Sequence, residues 1–100
     1  MYVDIRVLQA QIAATFGARD RARGVDGTFR RLVEEVGEVA KALRAGDRNA
    51  LALELSDVMA WTVSVAVLAG VDLDSALARY AGGCARCGVS PCRCPIDSPL

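Results

Sequence analysis

Three features of the sequence predict an all-α fold, an antiparallel bundle of about four helices followed by a short cysteine-rich C-terminal tail. Apolar residues recur at helical spacing through most of the chain. Alternating strand-like runs joined by hairpin turns are missing. All four cysteines fall in the last seventeen residues, in CARCGVSPCRC. One hundred residues suit a single domain, and a 53% hydrophobic content is enough to give it a core. The expected division is a helical domain over 1–81 and the cysteine tail over 82–100.

Val3, Val7, Leu8, Ile12 and Phe16 share one face of a first helix, expected to end near Gly17. The polar stretch ARDRARGVDG then reads as a linker, in which Asp20 and Arg23 either close over a substrate or belong to a plain surface loop. Thr28 is the expected N-cap of a second helix carrying Leu32, Val33, Val36, Val39, Ala40 and Leu43, which stops at Ala45-Gly46-Asp47. Asp47 caps a third helix over about Arg48 to Ala69, apolar around so much of its circumference that it belongs at the bundle centre. Gly70 ends it. Asp72 then caps a short fourth helix with Leu73, Leu77 and Tyr80 facing inward, and Gly82 and Gly83 separate it from the tail.

Twelve basic and twelve acidic residues leave a net charge of zero, so the footprint expected of a nucleic-acid-polymer or anionic-membrane binder is missing. The charge-free run from Val58 to Val71 is shorter than the roughly 20 residues of a spanning helix, which predicts no membrane association. The N-terminus lacks the pattern of a secretory signal, and a cytoplasmic location is expected.

The acids are unevenly placed. Every glutamate lies in one of two short words, EEVGE (Glu34, Glu35, Glu38) and ELSD (Glu54, closed by Asp57). Glu35 and Glu38 stand one turn apart on the face that carries Leu32, Val39 and Ala42; Glu54 and Asp57 repeat that spacing beside Leu51, Val58, Trp61 and Val65. Two antiparallel helices joined by a short link bring the pairs face to face, and four like charges at a dry interface call for neutralisation. Protonation is one route, and a hard divalent cation such as Mg²⁺, which takes oxygen ligands and retains exchangeable waters, supplies it more directly. Arg30, Lys41 and Arg44 fall on the opposite side from Glu35, better placed for an incoming anion than for cancelling the inner acids. The competing readings are a solvated acidic face and a purely structural cation site.

EEVGEVAKAL followed by ELSDVMAW resembles the EExxE and ExxD signature of the MazG-like, all-α nucleoside triphosphate pyrophosphohydrolases, over about residues 20 to 80, and RGVDGTF and AGVDLDSAL look similar to the same group. The resemblance implies a four-helix fold that dimerises, binds Mg²⁺, and cleaves a nucleoside triphosphate between the α and β phosphates to the monophosphate and pyrophosphate; so much apolar surface in a hundred residues also calls for a partner face, in a homodimer or homotetramer. Matched motif to motif, it implies Glu35, Glu38, Glu54 and Asp57 as metal ligands and Glu34 as the residue that orients or deprotonates the attacking water, a role an inner carboxylate can share. Lys41 and Arg44 are placed to reach a triphosphate tail, and Trp61, one turn after Asp57, to stack on a base or to pack in the core. An asparagine and a lysine that often follow ExxD in this superfamily are missing; Asn49 precedes the motif instead. With no histidine in the chain, proton transfer falls to carboxylates or a metal-activated water.

Cys84, Cys87, Cys92 and Cys94 read C-x2-C-x4-C-x-C, a set able to surround one structural Zn²⁺; redox-active or unstructured thiols are the alternatives. The expectation for the whole chain is an Mg²⁺-dependent pyrophosphohydrolase of the nucleotide pool. The alternative from another class is a zinc-tailed helical interaction module with an inert acid cluster.

Overall fold

The structure is a computed structural model in which residues 3–98 are described. Three long helices, α1 (Ile5–Arg23), α2 (Val25–Ala45) and α3 (Arg48–Ala69), are followed by the short α4 (Leu73–Leu77) and a 3-10 turn, Ala78–Tyr80. No strand occurs among the described residues. The all-α expectation holds, and the way the helices begin and end explains the arrangement.

Asp4 caps α1, its carboxylate accepting from the Val7 amide at 2.8 Å. The expected break at Gly17 does not occur: glycine in a helix interior costs about 1 kcal/mol but stops nothing by itself. The chain stays helical to Arg23, so residues 18–23 of the supposed linker are the last turn and a half of α1 and residues 25–27 are the start of α2. The break comes at Gly24, whose φ of 88° is open to glycine. Gly24 closes α1 by donating to the Asp20 carbonyl at 2.8 Å and opens α2 by accepting from the Thr28 amide at 3.0 Å. Thr28 is therefore not an N-cap. It lies fully buried in the first turn of α2.

The α2–α3 hairpin follows the sequence closely. Gly46 takes the left-handed conformation that ends α2, and the Asp47 carboxylate accepts from the Ala50 amide at 3.0 Å to start α3. The two helices pack along their length, and α1 lies against α3 on another side. Gly70 ends α3 as Gly46 ended α2. Gln9 of α1 then secures α4, donating to the Val71 carbonyl at 2.7 Å and accepting from the Leu73 amide at 2.9 Å. Asp72 holds the N-cap position, but its carboxylate accepts instead from Ser75 Oγ at 2.7 Å. Leu73 is half-buried, whereas Leu77 and Tyr80 are exposed, contrary to the inward orientation expected of them.

The core is small. Ile12, Ala42, Val63 and Ala66 are the buried apolar residues among those described, and the radius of gyration of 15.6 Å exceeds the ~13 Å typical of a hundred-residue domain. α3 touches both other long helices but is not enclosed: Leu53, Leu55 and Met59 stay exposed along its first half, where only part of its circumference is covered. Phe29, Val33, Val36 and Leu43 likewise leave an apolar stripe open on α2. α3 as a whole is long and apolar enough to cross a membrane, as core helices of soluble proteins also are. Glu54 and Asp57 interrupt it near the middle.

Candidate active site

The α2–α3 hairpin brings three carboxylates together. Glu35 from α2 and Glu54 and Asp57 from α3 present oxygens that all lie within 4.8 Å of one another. Glu35 and Glu54 are half-buried and Asp57 is exposed, so the cluster sits where the helix interface opens to solvent. Burial, a hydrogen bond with the Glu54 carboxyl, and the charges of Asp57, Glu54 and Glu38 all push the Glu35 carboxyl above its ordinary 4.5. Like charges this close are incompletely compensated by the protein itself. An all-oxygen, all-carboxylate set with an open side has the chemistry of a hard-cation site, and the donors present fit Mg²⁺.

Glu38 is not in this trio. Three residues on from Glu35, it is turned about 60° around the helix toward solvent, where it is exposed and meets Lys41 Nζ at 3.6 Å. It remains near enough for its charge to act on Glu35. Lys41 thus pairs with one of the signature acids rather than standing apart from them. Glu34 is exposed and accepts from Arg31 Nη1 at 3.3 Å. Arg44 lies in the exposed last turn of α2.

Beside the trio is a cavity of about 220 Å³ between α1 and α3. Asp57 stands in its wall with Ile12, Phe16, Arg19, Asp20, Arg23, Ala60, Trp61 and Ser64, so a single residue belongs to both the acid cluster and the cavity. Arg23 organises one wall. Its Nη1 donates to Asp20 Oδ1 at 2.8 Å and to Thr28 Oγ1 at 3.3 Å, and its guanidinium carbon lies 4.9 Å from the centre of the Trp61 ring. Gly27 lets the side chain pass: a Cβ there would stand 2.8 Å from Arg23 Cγ. Asp20 is 2% exposed, and its second oxygen, Oδ2, has no hydrogen-bond partner among the described residues. Trp61 is half-buried, partly packed and partly lining the cavity.

Asp20 and Arg23 were expected on a loop; they form instead an ion pair on a helix, with Asp20 buried and Arg23 half-buried. The other cavity residues of α1, Ile12, Phe16 and Arg19, carried no chemical motif of their own. Their signal was the i, i+4 and i+3 spacing continuing past Gly17 into Asp20 and Arg23.

The four cysteines form a second cluster, their sulfurs all within 4.8 Å of one another. Hydrogen bonds from the Cys87 and Arg86 amides, the largest influences, hold the Cys84 thiol down at about 6. Its hydrogen bonding with Cys92, followed by burial, pushes the Cys94 thiol up to about 12.

Residues 23–82 match the model of the MazG nucleotide pyrophosphohydrolase domain, spanning both acidic words and Trp61. The chain is also similar to a dATP/dGTP diphosphohydrolase of Cyanophage S-2L, with 36% identity over 77 residues, which cover 77% of this chain and 70% of that protein. With the paired carboxylate helices at the edge of an aromatic cavity, these matches lead to one conclusion: the chain belongs to the MazG family of nucleotide pyrophosphohydrolases.

Proposed function

We propose that the protein is an Mg²⁺-dependent pyrophosphohydrolase that converts a purine deoxynucleoside triphosphate to its monophosphate and pyrophosphate. The observation that carries this reading is the position of Asp57, shared by the carboxylate trio and the Trp61 cavity. A base seated in the cavity brings its phosphates toward the acids, because the two sites meet at one residue. The cavity, at about 220 Å³, is below the ~300 Å³ at which whole-ligand pockets begin, a size that favours a base over an entire triphosphate. The similarity to a dATP/dGTP diphosphohydrolase supports the purine and deoxyribose assignments.

Glu35, Glu54 and Asp57 would hold the cation, and Glu38, whose charge acts on Glu35, would be a further ligand on leaving Lys41. Bound Mg²⁺ supplies positive charge against the phosphate oxygens. Trp61 and Phe16 take the faces of the base, and Arg23 fixes the Trp61 ring in place. The water oxygen bonds to the α-phosphorus, the bond to the α–β bridging oxygen breaks, and pyrophosphate leaves. The proton released by the water goes to an exposed carboxylate beside the trio in sequence, assigned to Glu34 with Glu38 as the alternative.

The exposed stripe of α2 supports a homodimer as the working unit. Phe29, Val33, Val36, Ala40 and Leu43 are spaced 4, 3, 4 and 3 residues apart, the spacing of a helix–helix seam, and all are exposed in the single chain. The four unpaired thiols accord with a cytoplasmic location.

A panel of ribo- and deoxyribonucleoside triphosphates, assayed for pyrophosphate and monophosphate with and without Mg²⁺, tests the proposal. Metal-dependent release of both products from dATP or dGTP is expected. Turnover undiminished in EDTA, or a preference for pyrimidine or ribose substrates, overturns the corresponding part.

A further inference from the structure

We propose that Cys84, Cys87, Cys92 and Cys94 bind one Zn²⁺ in a closed tetrathiolate site that orders the tail, separate from the carboxylate site and taking no part in catalysis. Sulfur spacing is the first ground. Cys84 and Cys94 Sγ are 3.8 Å apart and Cys87 and Cys92 Sγ are 3.9 Å apart. Four sulfurs at a Zn–S distance of about 2.3 Å stand about 3.8 Å apart at the corners of a tetrahedron. A disulfide needs about 2.05 Å, and all four thiols are free.

The backbone around the sulfurs is the second ground, independent of the spacing. Cys84 Sγ accepts from the Arg86 and Cys87 amides at 3.3 and 3.5 Å, Cys87 Sγ from the Arg93 amide at 3.4 Å, and Cys92 Sγ from the Cys94 amide at 3.3 Å. Amides aimed at sulfur stabilise negative charge there, as metal-bound thiolates require. The turn that aims the first pair depends on Gly88, at φ 77°, whose amide donates to the Cys84 carbonyl at 2.9 Å. Gly83, at φ 126°, lets the returning segment of the tail approach. A Cβ on it would stand 2.7 Å from the Val89 carbonyl carbon, where the Val89 oxygen accepts from the Cys84 amide at 3.0 Å.

Ligand type selects the ion. Soft thiolates in a tetrahedral set suit Zn²⁺ and exclude Mg²⁺, while the three carboxylates select the reverse. With all four positions taken by sulfur, no place remains for water or substrate, which makes the site structural. A tail of this length holds too little apolar surface to fold unaided, so metal binding and tail ordering are one event.

Elemental analysis of the purified full-length protein tests this. One zinc per chain is expected, retained in the E35Q/E54Q double variant and lost in C87S and in C92S. Adding Co²⁺ to the chelated protein is expected to give the charge-transfer and ligand-field absorption of a tetrahedral thiolate complex at one equivalent. Helical circular dichroism of the cysteine variants serves as the check on the body of the protein, expected to be unchanged. Absence of zinc in protein purified under reducing conditions, iron in its place, or zinc that leaves with the carboxylates overturns the assignment. Since the readout is metal content, it stands or falls separately from nucleotide hydrolysis.

Discussion

The Arg23 guanidinium lies 4.9 Å from the centre of the Trp61 ring while its Nη1 donates to Asp20 Oδ1, so one side chain ties the end of α1 to the middle of α3. Removing it leaves Asp20 buried with no cationic partner. R23A is expected to destabilise the protein by about 3 kcal/mol, at the low end for a broken buried pair because Arg23 itself is partly solvated. D20N is expected to cost about 1 kcal/mol, since Arg23 keeps Trp61 and regains water. The double variant R23A/D20N should be more stable than R23A alone. Urea denaturation of the four proteins closes the cycle, and strictly additive losses count against this account.

Reading the sequence reaches the hairpin and stops short of the cavity, for a physical reason. Gly46, Asp47 and the two acidic words are local signals: a left-handed glycine, a capping carboxylate and helical spacing each act within a few residues, and α2 and α3 follow them. Gly17 gives the same signal and means something else, because glycine permits a break without imposing one. The i, i+3 and i+4 spacing runs on past it, and the helix that results packs along α3. Misplacing that one boundary moves Asp20 and Arg23 from a helix to a loop and hides the ion pair beneath Trp61. The trio shows a related limit. The i, i+3 spacing and its 60° turn are visible in the sequence, but which acids meet across the hairpin, and that Glu38 stays beside Lys41, emerges only when the helices are set together.

Replacing a trio carboxylate separates catalysis from folding. E35Q removes one cation ligand and also relieves repulsion from Glu54 and Asp57. Its turnover is expected to fall about 100-fold or more, in the range for losing a key electrostatic group, while the metal-free protein melts no lower than the parent. Steady-state kinetics with Mg²⁺ and a melting curve in EDTA check the two halves.

The raised Glu35 pKa gives a pH dependence of definite sign. Folding holds a proton on Glu35 that the unfolded chain releases from about the ordinary 4.5 upward, so the native state binds more protons in that window and its stability falls as pH rises through it. In EDTA, the melting temperature of the parent relative to E35Q is expected to decline from the lower to the upper edge of this window. Mg²⁺ should reverse the decline above it, by binding the ionised trio of the folded state alone. A parent-minus-variant difference that is flat with pH, or that rises, contradicts the clustering of these acids.

Gly27 provides a test of the cavity wall that leaves every charge in place. Alanine at this position meets Arg23 Cγ at 2.8 Å and forces the side chain to shift, although the helix itself favours alanine by about 1 kcal/mol. G27A is expected to raise KM for the triphosphate more than it lowers kcat, because it disturbs Arg23 and Trp61 while the acid trio remains unchanged. Equal loss in both variants, G27A and E35Q, of kcat alone would instead place Arg23 in the chemical step.

The stripe on α2 carries the last expectation. Val36 lies midway along Phe29, Val33, Ala40 and Leu43 and is 53% exposed in the single chain, a poor position for an apolar side chain unless another surface covers it. If two copies meet there, V36E places a carboxylate in each half of the seam, removing about 2 kcal/mol of apolar burial per copy and adding the cost of burying charge. The dimer dissociation constant is then expected to rise by about 30-fold at the least, taking one side chain alone. Sedimentation equilibrium across a dilution series measures it, with L77E as the control: Leu77 is 46% exposed but lies on α4, away from the stripe, so its charge should leave assembly unchanged. Activity measured over the same dilutions then shows whether the single chain retains turnover, since the trio and the cavity are built from residues of one chain.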